Sequence, residues 1–269
     1  MDLNNQEKKA QIIYFSHGGG PLPILGDPGH KAMIDFMTAL PNRITRPDAI
    51  VVVSAHWEET SATLLGAQNP PMFYDYYGFP EKAYEIQYPA PGSPDLANRI
   101  AGLLKKNNIP AQIDPDRGYD HGHFIPLKMM YPQADIPTTQ LSLLRGLNPE
   151  AHIALGKALR ELLDENILLI GSGFSFHNLR AFFWQGRGRP DPANDAFQDW
   201  LIQTVAGSLS ELEREKRLIE WENAPSARYC HPREEHLLPL HVCQGMAGGP
   251  GELIFDDQIL GIRSVGFLW

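Results

Sequence analysis

The chain has 269 residues, 43% of them hydrophobic and 20% charged, with a formal net charge of -9. This is an ordinary globular balance that can bury a core unaided, and its acidity argues against a nucleic-acid surface, where a basic stripe is expected. No stretch approaches the about 20 apolar residues of a membrane span, and the polar N-terminus from Met1 to Lys9 lacks an apolar targeting region, so a cytoplasmic setting away from membranes is expected.

Gln11 to Phe15 reads as a buried strand leading to His17. Asp27-Pro28 offers an N-cap followed by proline at the first helical position, and that helix should run to about Leu40. Ala49 to Ala55 is apolar and β-branched, as suits a strand buried on both faces, and it delivers His56. Ser93-Pro94 starts a helix by the same device, ending near Asn108. Thr138 to Leu143 is a further strand. Asn148-Pro149 caps a helix with apolar positions Ile153, Leu155, Leu159, Leu162 and Leu163. Ile167 to Ile170 is a buried strand that delivers Gly171-Ser172-Gly173 and then His177. Pro192 to about Ile219 reads as largely helical. Pro232 opens a helix carrying Glu234, Glu235 and His236, with Pro239 as a kink, and Leu260 to Leu268 is a final strand. Strands alternating with capped helices predict an α/β fold: a single domain over residues 1–269, with a mostly parallel central sheet and helices on both faces.

Ligands in such sheets bind outside the carboxyl ends of the strands, and His17, His56 and His177 all fall just past such ends. His17 precedes three glycines, which let backbone or ligand approach closely. It reads as a metal ligand, against the blander reading of a histidine hydrogen-bonded in a tight turn. His56 ends a very apolar strand and needs a partner; Trp57 would shield it from water. His236 is a third candidate ligand, and because consecutive helical residues diverge, only one of Glu235 and His236 should reach a metal. The remaining candidates are His177, as fourth ligand or acid/base, and His121, as a substrate contact oriented by Asp120. His123 keeps an open role.

His30 and His152 read as surface or packing residues, His241 as a packed helix residue, His231 as a cap, and Cys230 and Cys243 as small buried hydrophobes. The aromatic run from Phe73 to Pro80 is either a pocket wall or a packed loop. Arg180, Arg228 and Arg233 are conceivable partners for a substrate carboxylate, with surface roles as the plainer reading. No HExxH, GxSxG or phosphate-cradling glycine motif is present.

Taken in order, SHGGGP at 16–21, VVVSAHW at 51–57, YPAPGSP at 88–94, YDHGHFIPL at 119–127, HNLR at 177–180 and PREEHLLPL at 232–240 span nearly the whole chain. As a set they resemble the DOPA-dioxygenase type of class III extradiol ring-cleavage dioxygenases. The resemblance implies an α/β domain, a mononuclear non-haem Fe(II) required for activity, and O2-dependent cleavage of a catechol to a muconic semialdehyde. It also implies His17, His56 and His236 as metal ligands, His177 as acid/base and His121 as a substrate contact. The third ligand position is histidine where better-studied members have a carboxylate, which makes the site more zinc-like. Zn(II) is therefore an expected alternative occupant. Two rival readings are a zinc hydrolase and a non-catalytic binding protein on the same scaffold. The oligomeric state and the identity of the catechol stay open.

Overall fold

Alternation within the apolar runs sorts strand side chains onto two faces. Ile12, Tyr14, Val51, Val53 and Leu169 join one apolar cluster, while Ile13, Phe15, Ile50, Val52, Leu168 and Ile170 join another. A sheet with both faces apolar must be covered on both. The computed structural model describes residues 9–184 and 189–269; most of the polar N-terminus lies outside the described residues.

In chain order the elements are β1 (Gln11–Ser16), α1 (Lys31–Ala39), β2 (Ala49–Glu59), β3 (Ala62–Leu65), α2 (Pro94–Lys106), β4 (Ala111–Asp114), α3 (His121–Met130) and β5 (Thr138–Leu144). There follow α4 (Pro149–Ala158), β6 (Ile167–Gly173), α5 (Leu179–Trp184), α6 (Pro192–Val205), α7 (Glu211–Ile219), α8 (Ala227–Cys230), α9 (Leu238–Ala247), β7 (Glu252–Ile259) and β8 (Ile262–Leu268). The sheet has eight strands in the order β4-β3-β5-β2-β6-β1-β8-β7. Its centre is parallel: β2 pairs with β5 and β6, and β1 with β6. Both flanks reverse direction, through antiparallel β3–β5 and β1–β8 pairs. Residues of α2, α4, α6, α7 and α9 pack on one face and residues of α1 and α3 on the other. The α/β class with a mostly parallel sheet and helices on both faces is therefore as expected. Among the described residues, no helix is long and apolar enough to cross a membrane.

Several local expectations change. The His121–Gly122–His123 segment, which the glycine marks as a loop in sequence, is the first turn of α3, a helix buried on nearly every side, where packing overrides the weak propensities of glycine and proline. The stretch from Pro192 to Ile219 is two helices, the second opened by a Ser210–Glu213 capping box. Glu234, Glu235 and His236 sit in a turn ahead of α9, and Pro239 lies in its first turn instead of kinking it. Ser93 occupies the N-cap position of α2 without a side-chain capping bond, whereas Asp27 and Asn148 make theirs.

The register aligns Ser16 with Gly173 and Ser54 with Ser172, so the carboxyl ends of β1, β2 and β6 lie side by side. Beyond this line β2 bulges. Val53 pairs with Leu141 and Glu58 with Leu143, so five steps along β2 match two along β5.

Candidate metal centre

His17, His56 and His236 converge at this edge, each offering a ligand atom within 4.8 Å of the others. His17 continues the β1 ladder, its N–H donating to the Gly173 carbonyl at 2.9 Å. The bulge in β2 projects His56, whose Nε2 lies 3.0 Å from Nε2 of His17. His236 arrives from the turn before α9, and its carbonyl accepts from Phe174 N–H at 3.0 Å and from the Tyr14 hydroxyl at 3.2 Å. That carbonyl passes so close to Gly173 that an added Cβ would meet it at 2.1 Å.

The other nitrogen is hydrogen-bonded in His17 and His236 and faces a carboxylate in His56. The Ser172 hydroxyl donates to the Gly122 carbonyl at 2.5 Å, so it accepts from His17 Nδ1–H at 3.0 Å. His236 Nδ1 donates to Glu235 Oε1 at 2.9 Å, and His56 Nδ1 faces Asp75 Oδ2 at 3.5 Å. With Nδ1 carrying the proton, every Nε2 presents a lone pair. Burial holds all three pKa values well below the usual imidazole value, and neighbouring imidazoles lower them further, while Asp75 opposes the shift at His56. Neutral rings with free Nε2 atoms are what a divalent cation of the zinc or iron class requires.

Two more histidines border this group. The His121 ring lies 3.8 Å from that of His56, and its Nδ1 sits 2.8 Å from Asp75 Oδ1. His177 stacks on His236 with ring centroids 3.4 Å apart, and its Nδ1 is 3.1 Å from Glu235 Oε1. Each carboxylate thus serves one imidazole of the central three and one beside it. Burial would raise the Asp75 pKa, but the hydrogen bond from His121 and the neighbouring imidazoles outweigh it and hold the group at about 2.

The structure brings together all five histidines singled out in the sequence, at the wall of one cavity of about 350 Å³. Asp120 does not orient His121. It accepts from Ser54 Oγ, Arg117 and Gln140 beneath the β2 bulge, and Asp75 takes the expected role. Glu235 and His236 do not compete for the centre, since Glu235 backs His236. Trp57 is buried behind the site with the Arg117 guanidinium 4.4 Å from its ring. From the aromatic run, Tyr76 and Phe79 line the cavity. His123 is buried, stacked on Tyr119 and bonded to Thr138, away from the cavity. His30, His152 and His241 are buried packing residues. His231 stands at the end of α8, buried against the Ser175 carbonyl. Cys230 and Cys243 are buried free thiols.

The profile of the catalytic LigB subunit of aromatic ring-opening dioxygenases matches residues 12–260. The chain belongs to this family. This dioxygenase, of the extradiol ring-opening type, is 38% identical to "Dioxygenase tasH" of Hapsidospora irregularis, over 97% of the chain and 85% of that relative. It is 36% identical to "4,5-DOPA dioxygenase extradiol" of Beta vulgaris, over 98% and 97%. Its fold matches the crystal structure of an uncharacterized Escherichia coli K12 protein with a TM-score of 0.77 and 30% identity, over 96% and 98% of the two chains. Ser172, Asp75 and Glu235, which fix the histidine tautomers, carried weak sequence signals. Only their places beside a strand end, an aromatic run and a histidine hinted at them.

Proposed function

We propose that this enzyme opens a catechol ring beside its two hydroxyls with O2, at one divalent metal held by His17, His56 and His236. The carrying observation is that Nδ1 is hydrogen-bonded in His17 and His236 and faces the Asp75 carboxylate in His56, which leaves three Nε2 lone pairs for one ion. The donor chemistry suits Fe(II) and Zn(II) alike. Fe(II), when bound, supplies the redox path between catechol and O2 that Zn(II) lacks. The zinc-filled protein should therefore be inert towards O2. Family membership weighs against both a zinc hydrolase and a binding protein.

The flanking histidines supply proton handling. His177, with Nδ1 held by Glu235, presents Nε2 to the cavity as a base for a catechol hydroxyl. The proton it takes is then available for return in a later step. His121, held by Asp75, presents its own Nε2 from the opposite carboxylate and orients the second oxygenated edge of the ring. Cleavage of the ring bond next to the hydroxyls with retention of both O2 atoms gives a muconic semialdehyde. The name of the Beta vulgaris relative makes DOPA one catechol to try.

The test is metal content followed by O2 uptake after anaerobic Fe(II) loading. One equivalent of metal should bind, with one O2 consumed per ring lost, and His17→Ala and His236→Ala should each lose both properties. Full metal binding by both variants would sink the ligand assignment. Absence of O2 uptake with every catechol would sink the reaction.

A further inference from the structure

We infer that the substrate is a catechol whose ring substituent is apolar and uncharged; this rests on the ring-cleavage reading above. Beyond the five imidazoles, the cavity wall is Leu22, Phe79, Phe174, Leu179, Phe182 and Leu260, with Tyr76 and the glycines at 18–20. The Tyr76 hydroxyl is turned away and donates to the Ala83 carbonyl at 2.6 Å. Among the described residues lining the cavity there is no lysine, arginine, carboxylate, amide or aliphatic hydroxyl. Arg180, Arg228 and Arg233, the conceivable partners for a substrate carboxylate, lie outside the lining. Arg228 pairs with Glu222 and Glu234, Arg233 with Glu58 and Glu235, and Arg180 is exposed outside the lining. Among the described residues, a charged substituent would lose water and find no ion-pairing side chain beyond the imidazoles.

Leu260 adds a second, independent observation. It sits in the two-residue turn between β7 and β8 with φ of 55°, followed by Gly261 at 81°. Asparagine, aspartate or glycine suits such a turn, whereas leucine is disfavoured there. Its side chain packs toward Gly19 at the cavity wall. The same side chain also packs on Gly29, so an apolar group stands here, against the local backbone preference, between the core and the cavity wall.

Binding to the Zn(II)-loaded protein under argon separates recognition from turnover. Titration calorimetry would compare catechol, 4-methylcatechol, 4-propylcatechol, 3-(3,4-dihydroxyphenyl)propanoate and DOPA. Affinity should rise about fourfold for each added methylene, and the two charged ligands should bind at least about tenfold more weakly than 4-propylcatechol. The Fe(II) form should rank them in the same order by O2 uptake. Leu179 is 57% exposed, so Leu179→Lys should fold, and it should improve propanoate binding by up to about fivefold. Phe79→Lys provides a second placement of the same charge. Equal or tighter binding of DOPA or the propanoate by the unaltered protein overturns the inference while leaving ring cleavage intact. Failure of every catechol to bind or consume O2 overturns the ring-cleavage reading, and the inference with it.

Discussion

Asp75 spans two imidazoles, with Oδ1 on His121 and Oδ2 facing His56. Its charge favours the Nδ1–H tautomer of both rings, so Asp75→Asn should weaken metal binding by about 10–100-fold, the usual effect of removing an orienting carboxylate. Chelator competition would measure this, and unchanged affinity would refute the role. Asp120→Asn should behave oppositely. Asp120 is fully buried with Arg117, Ser54 and Gln140, so its loss should cost stability, about 3 kcal/mol, with a smaller effect on metal affinity. Denaturant unfolding and the same chelator assay would separate the two. His17, His56 and His177 were legible in the sequence because imidazoles past the ends of apolar strands demand partners, while His121 and His236 stood out beside acidic neighbours. Asp75 was not, because a single carboxylate inside an aromatic run carries no spacing signal. Asp120 was misread because adjacency to His121 suggests pairing, while the start of α3 sends the two side chains to different partners.

Strands β1, β2 and β6 were legible because each contains a continuous apolar run, and Asp27 and Asn148 announced their helices. Strands β3 and β4 have four residues each, too few to show a period. The β7–β8 hairpin lacked a turn signal because its two-residue connection is Leu260-Gly261 in place of Asn-Gly. Helix α3 was hidden because a helix buried on all sides has no polar stripe to reveal its period. Among the close fits at glycine, Gly173 is the one at the site: β6 ends there under the His236 carbonyl. Gly173→Ala should push the turn before α9 outward, destabilise the fold by about 1–3 kcal/mol and lower metal occupancy. Thermal unfolding and metal analysis would check both, and a variant with normal occupancy would show that the turn can yield without moving His236.

Across the whole molecule, buried neutral histidines away from the metal centre tie stability to pH. His152 accepts from Leu144 N–H and is bonded through Nδ1 to the Asn148 carbonyl. Burial, the largest effect, lowers its pKa to about 4. The unfolded chain, with its ordinary imidazole pKa near 6.5, binds the proton first as pH falls. The contribution of His152 is therefore complete above pH 6.5 and lost progressively down to about pH 4, worth about 3 kcal/mol in full. His231, lowered to about 3 chiefly by burial, adds in the same direction over a window reaching lower. The metal-free protein should lose stability on acidification from pH 6.5, and His152→Gln should flatten that slope by about one proton. Denaturant midpoints across pH would show it; an unchanged slope would contradict the burial argument. The α/β layout was readable from alternation of strands and caps, but side-chain partners depend on a register that no single segment contains. That register also explains what the bulge in β2 makes possible. Its extra length lies between two stretches of ladder that stay in step with β5. Between Ser54, still in the β6 ladder, and Glu58, back in the β5 ladder, the chain can re-aim an imidazole while the flanking hydrogen bonds hold. In a scaffold otherwise locked by close packing, this is the natural adjustment point for evolving or engineering a different reactivity.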